Sequence, residues 1–242
     1  MRNLVIDIGN TRIKSALFDG LEMIEEQSLN YIDELLRYTD AWDFDHVIVS
    51  SVRWSSQELE LMLPFGFLFL DQGTLLPVKN QYQTPHTLGL DRLAAAIGAY
   101  SKTGKGPVLS IDLGTCITYD FIDAYKAYLG GAISPGLQMR FRAMHEQTAR
   151  LPLVDYDFEE VKPGLIGGNT LDGMKSGVYF GIKHEIEGII KQYLGNHQDL
   201  KVFICGGDAK FFESLTKDHI FVIPNLVLHG LNRILIYNVN KN

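Results

Sequence analysis

The chain has 242 residues, 46% hydrophobic and 21% charged, which is enough to bury one large core or two smaller ones and too apolar for a disordered or fibrous protein. A formal charge of −7 without any Lys/Arg cluster argues against a nucleic-acid partner, because a phosphate backbone demands a basic footprint. No apolar stretch approaches membrane-spanning length, and Met1-Arg2-Asn3 runs directly into a strand pattern carrying Asp7, so no signal peptide or membrane contact is expected and the location expected is cytoplasmic.

The first elements are all strands. Leu4 to Ile8 and Ile13 to Phe18 flank a short polar turn, and Asp19-Gly20 is a hairpin signal leading into a third strand. Asn30 to Arg37 has helical periodicity, His46 to Val52 is a β-branched run, Gln57 to Met62 is helical, and Phe65 to Leu70 has strand character. A polar segment with Pro77 and Pro85 follows, then an Ala-rich helix from Leu90 to Tyr100 that stops near Gly104 and Gly106. That point reads as a boundary.

Immediately past it, "VLSIDLGTCITYDFID" lies over the opening "LVIDIGNTRIKSALFD": apolar run, Asp, apolar, Gly, small polar, second strand, closing Asp. Asp112 stands 105 positions after Asp7, close to half the chain, so the pattern is that of a duplicated domain and not of a short-period solenoid. Halves of 1–105 and 106–242 are expected. The second continues with a strand from Tyr128 to Ile133, a helix from Pro135 to Arg150 and a long helix from Leu171 to Tyr193. Val202 to Cys205, a Gly206-Gly207 turn, a helix, Phe221 to Ile223 and a last helix from Asn225 to Tyr237 close it. Hairpins followed by alternating α and β predict two α/β domains with mixed sheets.

An Asp-x-Gly turn between two strands lets backbone N–H groups approach a ligand, and Asn10, Thr11 and Thr115 add side-chain donors; such a turn suits a phosphate. Asp7 and Asp112, one carboxylate per turn, could each organise a hard cation that shields phosphate charge. A tight hairpin with a capping Asp is the better explanation of a single copy, but two copies at matching positions reverse that and favour two turns that clasp a triphosphate. There is no G-x-x-x-x-G-K-[ST] loop, which disfavours a P-loop kinase. Cys116 and Cys205 lie far apart without partners at metal-ligand spacing and read as reduced, buried, small apolar residues. His145, His184 and His229 fall on helices without H-x-x-x-H spacing, and like His46 before its strand they read as core or surface residues.

"DIGNTRIK", "DLGTCITYD" and "ICGGDAK" together resemble the first phosphate loop, second phosphate loop and adenosine loop of the acetate and sugar kinase, Hsp70 and actin superfamily. Within it, "YQTPHTLGLDR", "GGAISPGLQMRFRAMHEQTARLP" and "GNTLDGMKSG" follow in the order found in type III pantothenate kinases, so the resemblance covers nearly the whole chain. Cys116 and Leu90 stand where alanine is usual, and neither change removes a polar group. The resemblance implies an actin-like ATPase fold of two duplicated ribonuclease-H-like domains. It also implies ATP-dependent phosphorylation of pantothenate to 4′-phosphopantothenate, the opening step of coenzyme A synthesis.

The resemblance also distributes roles. Asp91 becomes the general base, and Tyr82 with Gly89, Leu90, Asp91 and Arg92 is assigned to pantothenate. From spacing alone Asp91 reads better as an N-terminal helix acid, and Arg92 could equally be a surface ion-pair partner or a fork for an anionic group. ATP is assigned to Asp7, Gly9, Asn10, Thr11, Lys14, Thr115, Gly206 and Gly207, although Lys14 sits inside the second strand. Asp7 is expected to act through Mg²⁺ on the phosphates, Asp112 to bind a monovalent cation, K⁺ or NH₄⁺, and Thr170 to touch substrate while also capping the helix that follows it. Gly173, Gly177 and Gly181 strip one face of that helix, predicting close approach by a helix of the other half or of a second subunit; the resemblance favours a homodimer. A nucleotide-dependent regulatory or chaperone-type protein, and an ATPase or phosphatase in which Asp91 activates water, are the alternatives on the same fold.

Overall fold

The structure is a computed structural model and describes residues 1–155, 162–215, 217 and 219–241. The chain divides into two units, one of 1–105, 122–130 and 225–242, the other of 106–121 and 131–224. Relative to the halves expected from sequence, the last helix and the 122–130 segment thus belong with the first unit.

In the first unit, β1 (Arg2–Ile8), β2 (Ile13–Asp19) and β3 (Glu22–Leu29) form the expected meander, with Asp7 directly opposite Lys14 in the antiparallel β1–β2 register. Helix α1 (Ile32–Thr39) leads to β4 (His46–Ser51), which pairs in parallel with β1, and α2 (Ser56–Met62) leads to β5 (Leu68–Phe69), parallel to β4. The sheet order is β3-β2-β1-β4-β5. Ser55 starts α2 with a capping box, its hydroxyl accepting from the Glu58 N–H while the Glu58 carboxylate accepts from Ser55 N. Leu4, Ile6, Ile8, Val47, Val49, Leu35 and Leu59 fill the core on the α1–α2 side. The strand expected over Phe65 to Leu70 shortens to Leu68–Phe69, the two residues that pair with β4, while Phe65, Phe67 and Phe69 all pack on that core.

A short β6 (Lys79–Asn80) pairs with the opening of a later strand, and α3 (Leu90–Thr103) packs with α6 (Leu226–Val239) on the sheet's opposite face. The α3–α6 contact is made backbone to backbone: a Cβ on Gly98 would lie 2.1 Å from the Leu226 carbonyl oxygen, and one on Gly230 would lie 1.8 Å from that of Ala94. Buried Asn3 and Asn232 join the first strand to the last helix, Asn3 Nδ2 donating to Asn232 Oδ1 at 2.7 Å. These contacts explain why the C-terminal helix belongs to the first unit.

His229 on α6 sits edge-on to Phe18, with ring centroids 5.4 Å apart, and Lys102 Nζ lies 3.1 Å from its Nε2. Burial, then the Lys102 charge, push its pKa down to about 4, so the imidazole is neutral in the folded protein. An unfolded chain binds the proton near pH 6.5, so the stability this site contributes is complete above that pH and is lost as pH falls through about 4. Because the ring is half-buried and partly screened by solvent, the loss is about 1–2 kcal/mol. Urea unfolding at pH 7.5 and 4.5 should show a smaller pH dependence in His229→Gln than in the unaltered chain; equal dependence would remove this assignment.

The second unit repeats the plan. Strands β7 (Val108–Leu113), β8 (Cys116–Ile122) and β9 (Ala127–Pro135) are followed by α4 (Leu137–Glu146), α5 (Thr170–Asn196), β10 (Lys201–Cys205), a 3₁₀ segment (Ala209–Leu215) and β11 (Ile220–Val222). Read from β9, the order is β9-β8-β7-β10-β11, with β10 parallel to β7 and β11 parallel to β10. These five strands repeat the order of the first sheet, and β6 adds a sixth strand beyond β9. The core is formed by Leu109, Ile111, Tyr119, Phe141, Val178, Ile182 and Phe212 among others. The helix expected from Pro135 begins instead at Leu137, since Pro135 ends β9 and Gly136 is an extended cap, φ −72° and ψ 179°. Among the described residues, no helix is long and apolar enough to cross a membrane.

Candidate active site

In the first unit the turn after β1 closes through the Gly9 N–H, which donates to the Arg12 carbonyl at 3.0 Å, leaving Asn10 and Thr11 exposed at its tip. Arg53, just past the parallel neighbour β4, donates from Nη2 to the Asn10 carbonyl at 2.5 Å. The sequence reading missed this cation at the first turn; its only signal was an Arg directly after a β-branched strand adjacent to β1. Lys14 points its Nζ at Asn225 Oδ1, 3.4 Å away, at the start of α6. It therefore sits in the strand beside Asp7 and takes part in a side-chain contact of its own.

Asp91 is exposed in the first turn of α3, and its Oδ1 accepts the Arg92 N–H at 2.8 Å. Gly89 makes room for it, since a Cβ there would stand 2.6 Å from that oxygen. Arg92 is only 9% exposed, so the surface ion-pair reading of this residue is corrected: burying a guanidinium demands partners that satisfy it. Leu90 and Tyr82 are half-buried, and the Tyr82 ring lies 2.8 Å from where a Cβ on Gly130 would be. Gly130 adopts φ +92°, so both its conformation and its neighbour require the absence of a side chain.

In the second unit three elements converge on the second turn. Thr115 is exposed at its tip, Asp112 is half-buried at the end of β7, and the Gly114 N–H closes the turn onto the Cys116 carbonyl at 3.1 Å. The Gly206-Gly207 turn presses against it: a Cβ on Gly206, which has φ +96°, would lie 2.5 Å from Asp112 Oδ1 and 2.3 Å from the Leu113 carbonyl oxygen. From the third side, the Gly136 N–H donates to the Thr115 carbonyl at 3.1 Å. The structure thus brings Asp112, Thr115, Gly206 and Gly207 together. It also adds Asp208, which the sequence reading did not single out, with a pKa raised to about 6 by burial and by the Asp112 charge against an opposing effect of Lys210.

Thr170 is the first residue of α5 and exposed, but the cap is Asn169, whose side chain accepts from the Asp172 N–H at 2.9 Å. The expectation that Thr170 caps the helix is corrected, Asn being at least as good an acceptor one position earlier. Among the described residues a Cβ on Gly173 or Gly177 would meet nothing within 4 Å, and one on Gly181 would meet Arg140 Nη1 at 3.7 Å, so among them that glycine face is uncovered. Cys205 is buried, whereas Cys116 is half-buried, correcting the expectation of two buried thiols.

Two turns of one design on two sheets that share one five-strand order define the class. A Streptococcus pneumoniae ROK family protein solved with sucrose superposes with a TM-score of 0.54, at 15% identity and with all of both chains covered. A Campylobacter jejuni protein described as a Baf family transcriptional activator gives a TM-score of 0.64 at 24% identity, covering 98% of this chain and 99% of that one. The fold is the actin-like ATPase fold with mixed sheets, as expected. The sequence pattern of the type III pantothenate kinase family matches residues 3–192. A type III pantothenate kinase from Cytophaga hutchinsonii is 42% identical over 237 residues, 98% of this chain and 100% of the relative. The chain belongs to the type III pantothenate kinase family.

Proposed function

We propose that this chain transfers the γ-phosphoryl group of ATP to the 4′ hydroxyl of pantothenate. The observation that carries this reading is the pair of Asp-x-Gly turns at equivalent places in two sheets that share one five-strand order, in a chain of this family. In this reading Gly9, Asn10, Thr11 and Lys14 with Asp7, and Thr115 with Gly206 and Gly207, serve the nucleotide. Tyr82, Gly89, Leu90, Arg92 and Thr170 serve pantothenate. Asp91 accepts the hydroxyl proton as the oxygen bonds to the γ-phosphorus and the bond to the β–γ bridging oxygen breaks, releasing ADP.

A divalent cation suits the site as a ligand shared with phosphate, since Mg²⁺ is ordinarily held by one or two carboxylates plus substrate phosphates. Asp7 is the protein carboxylate for it, and the ion shields phosphate charge when bound. Asp112, half-buried at the end of β7 with its Oδ1 facing the Gly206 turn, is the carboxylate assigned to a monovalent cation, K⁺ or NH₄⁺. The uncovered glycine face of α5 suits a second copy of the chain, giving a homodimer, and a cytoplasmic location fits the biosynthetic role.

ADP release measured with ATP, Mg²⁺ and K⁺ should depend on added pantothenate and yield a phosphorylated acid. Equal ADP release without pantothenate would replace this reading by an ATPase.

A further inference from the structure

On the second unit, Glu185 gathers three side chains from three elements. Its Oε1 accepts the Tyr119 hydroxyl of β8 at 2.8 Å and the Ser134 hydroxyl of β9 at 2.5 Å, while Oε2 accepts Nη2 of Arg140 on α4 at 2.5 Å. Arg140 turns its Nε back to the Pro135 carbonyl at 2.8 Å. Gly181, one helical turn before Glu185, leaves room for the guanidinium, which comes within 3.7 Å of its Cβ position. Burial alone would raise the Glu185 pKa, but the Ser134, Arg140 and Tyr119 hydrogen bonds and the Arg140 charge hold it below the usual carboxylate value. Burial and the same carboxylate push the Tyr119 phenol up, so it remains a donor.

These groups bracket the second turn. Tyr119 lies three residues beyond Cys116 on the strand leaving the turn, and Ser134 and Pro135 lead into Gly136, whose N–H holds the Thr115 carbonyl. Gly136 is in such close contact that a Cβ there would stand 2.2 Å from the Gly114 oxygen and 2.5 Å from the Thr115 oxygen. A shift of Ser134–Gly136 therefore moves the turn itself. With side chains 22% and 24% exposed, the Arg140–Glu185 pair is only partly buried and contributes little stability by itself, so this anchor is better explained by the geometry it fixes.

We propose that Glu185 is a positioning residue for the nucleotide: by clamping Ser134, Arg140 and Tyr119, it holds the Gly114-Thr115 turn in the shape that receives ATP phosphates. This rests on reading that turn as a nucleotide loop. Glu185→Gln must face a donor either toward Arg140 or toward the two hydroxyls, and losing one charge-assisted bond from a preorganised turn should raise KM for ATP about tenfold. KM for pantothenate should stay within about twofold, and the rise in melting temperature on adding ATP and Mg²⁺ should shrink. Tyr119→Phe keeps the packed ring and removes one donor, so it should raise KM for ATP about threefold and carries the test if Glu185→Gln does not fold. An ATP KM within twofold of wild type in the folded variants, or equal rises for both substrates, would overturn the proposal. Wild-type protein without pantothenate-dependent turnover would instead sink the kinase reading, while the ATP-induced thermal shift would still report on the turn.

Discussion

Asp91→Asn should lower kcat for pantothenate phosphorylation by about 10²- to 10⁴-fold, the usual worth of a positioned general base, while leaving the ATP-induced thermal shift intact. The substitution isolates proton acceptance because of how Asp91 is held. Its Oδ1 accepts the Arg92 N–H at 2.8 Å, and an Asn oxygen can accept the same bond, so the start of α3 keeps its hydrogen bond. What else is lost is a carboxylate's interaction with the helix N-terminus, about 0.3–1 kcal/mol of stability at an exposed site. The role as helix acid and the role as base therefore predict different results from one variant. A small fall in melting temperature with unchanged kcat would leave Asp91 as a helix acid only. Collapse of kcat in a protein that melts nearly as the wild type does is the result expected.

Much of the fold was legible because the period of the apolar residues changes where the elements change. The meander, the β-branched β4 and the Ala-rich α3 all stand within a few residues of their expected positions. The internal repeat was legible for a physical reason: each Asp-x-Gly turn needs its glycine and its small polar tip, and each is fed by a strand, β1 or β7, that is buried and mostly apolar up to its Asp. What the sequence hid was set by contacts between distant segments. The start of α4 moved to Leu137 because Gly136 is bound to the second turn, a fact carried by residues near 115 and not by the local pattern. The capping of α5 by Asn169 and not Thr170 turned on two adjacent residues with similar capping strength. Arg53 was hidden because its target is a backbone carbonyl of another loop, and Asp208 because only the fold reveals that it is buried near Asp112. The face at Gly173 and Gly177 was read correctly as stripped of side chains, yet among the described residues it is uncovered.

The same residue type has a different meaning on the first unit, where glycine decides whether two helices can meet. Gly230→Ala should destabilise the protein by about 3 kcal/mol, at the upper end of ordinary overpacking, and lower its melting temperature by roughly 6–12 °C for a chain of this size. The new methyl would stand 1.8 Å from the Ala94 carbonyl oxygen and 3.0 Å from the Gly98 nitrogen, both backbone atoms that no rotamer change can move aside. Helix α6 would have to lift from α3, disturbing its packing on β1 and β4 and the buried Asn3–Asn232 hydrogen bond at 2.7 Å. Gly188→Ala on α5 supplies the control, since a Cβ there meets nothing within 4 Å. It removes the same conformational freedom within a helix and should stabilise by up to about 1 kcal/mol. Chemical unfolding of the pair separates helix propensity from backbone contact: opposite signs are expected, and two stabilising substitutions would show that α3 and α6 do not meet through their backbones.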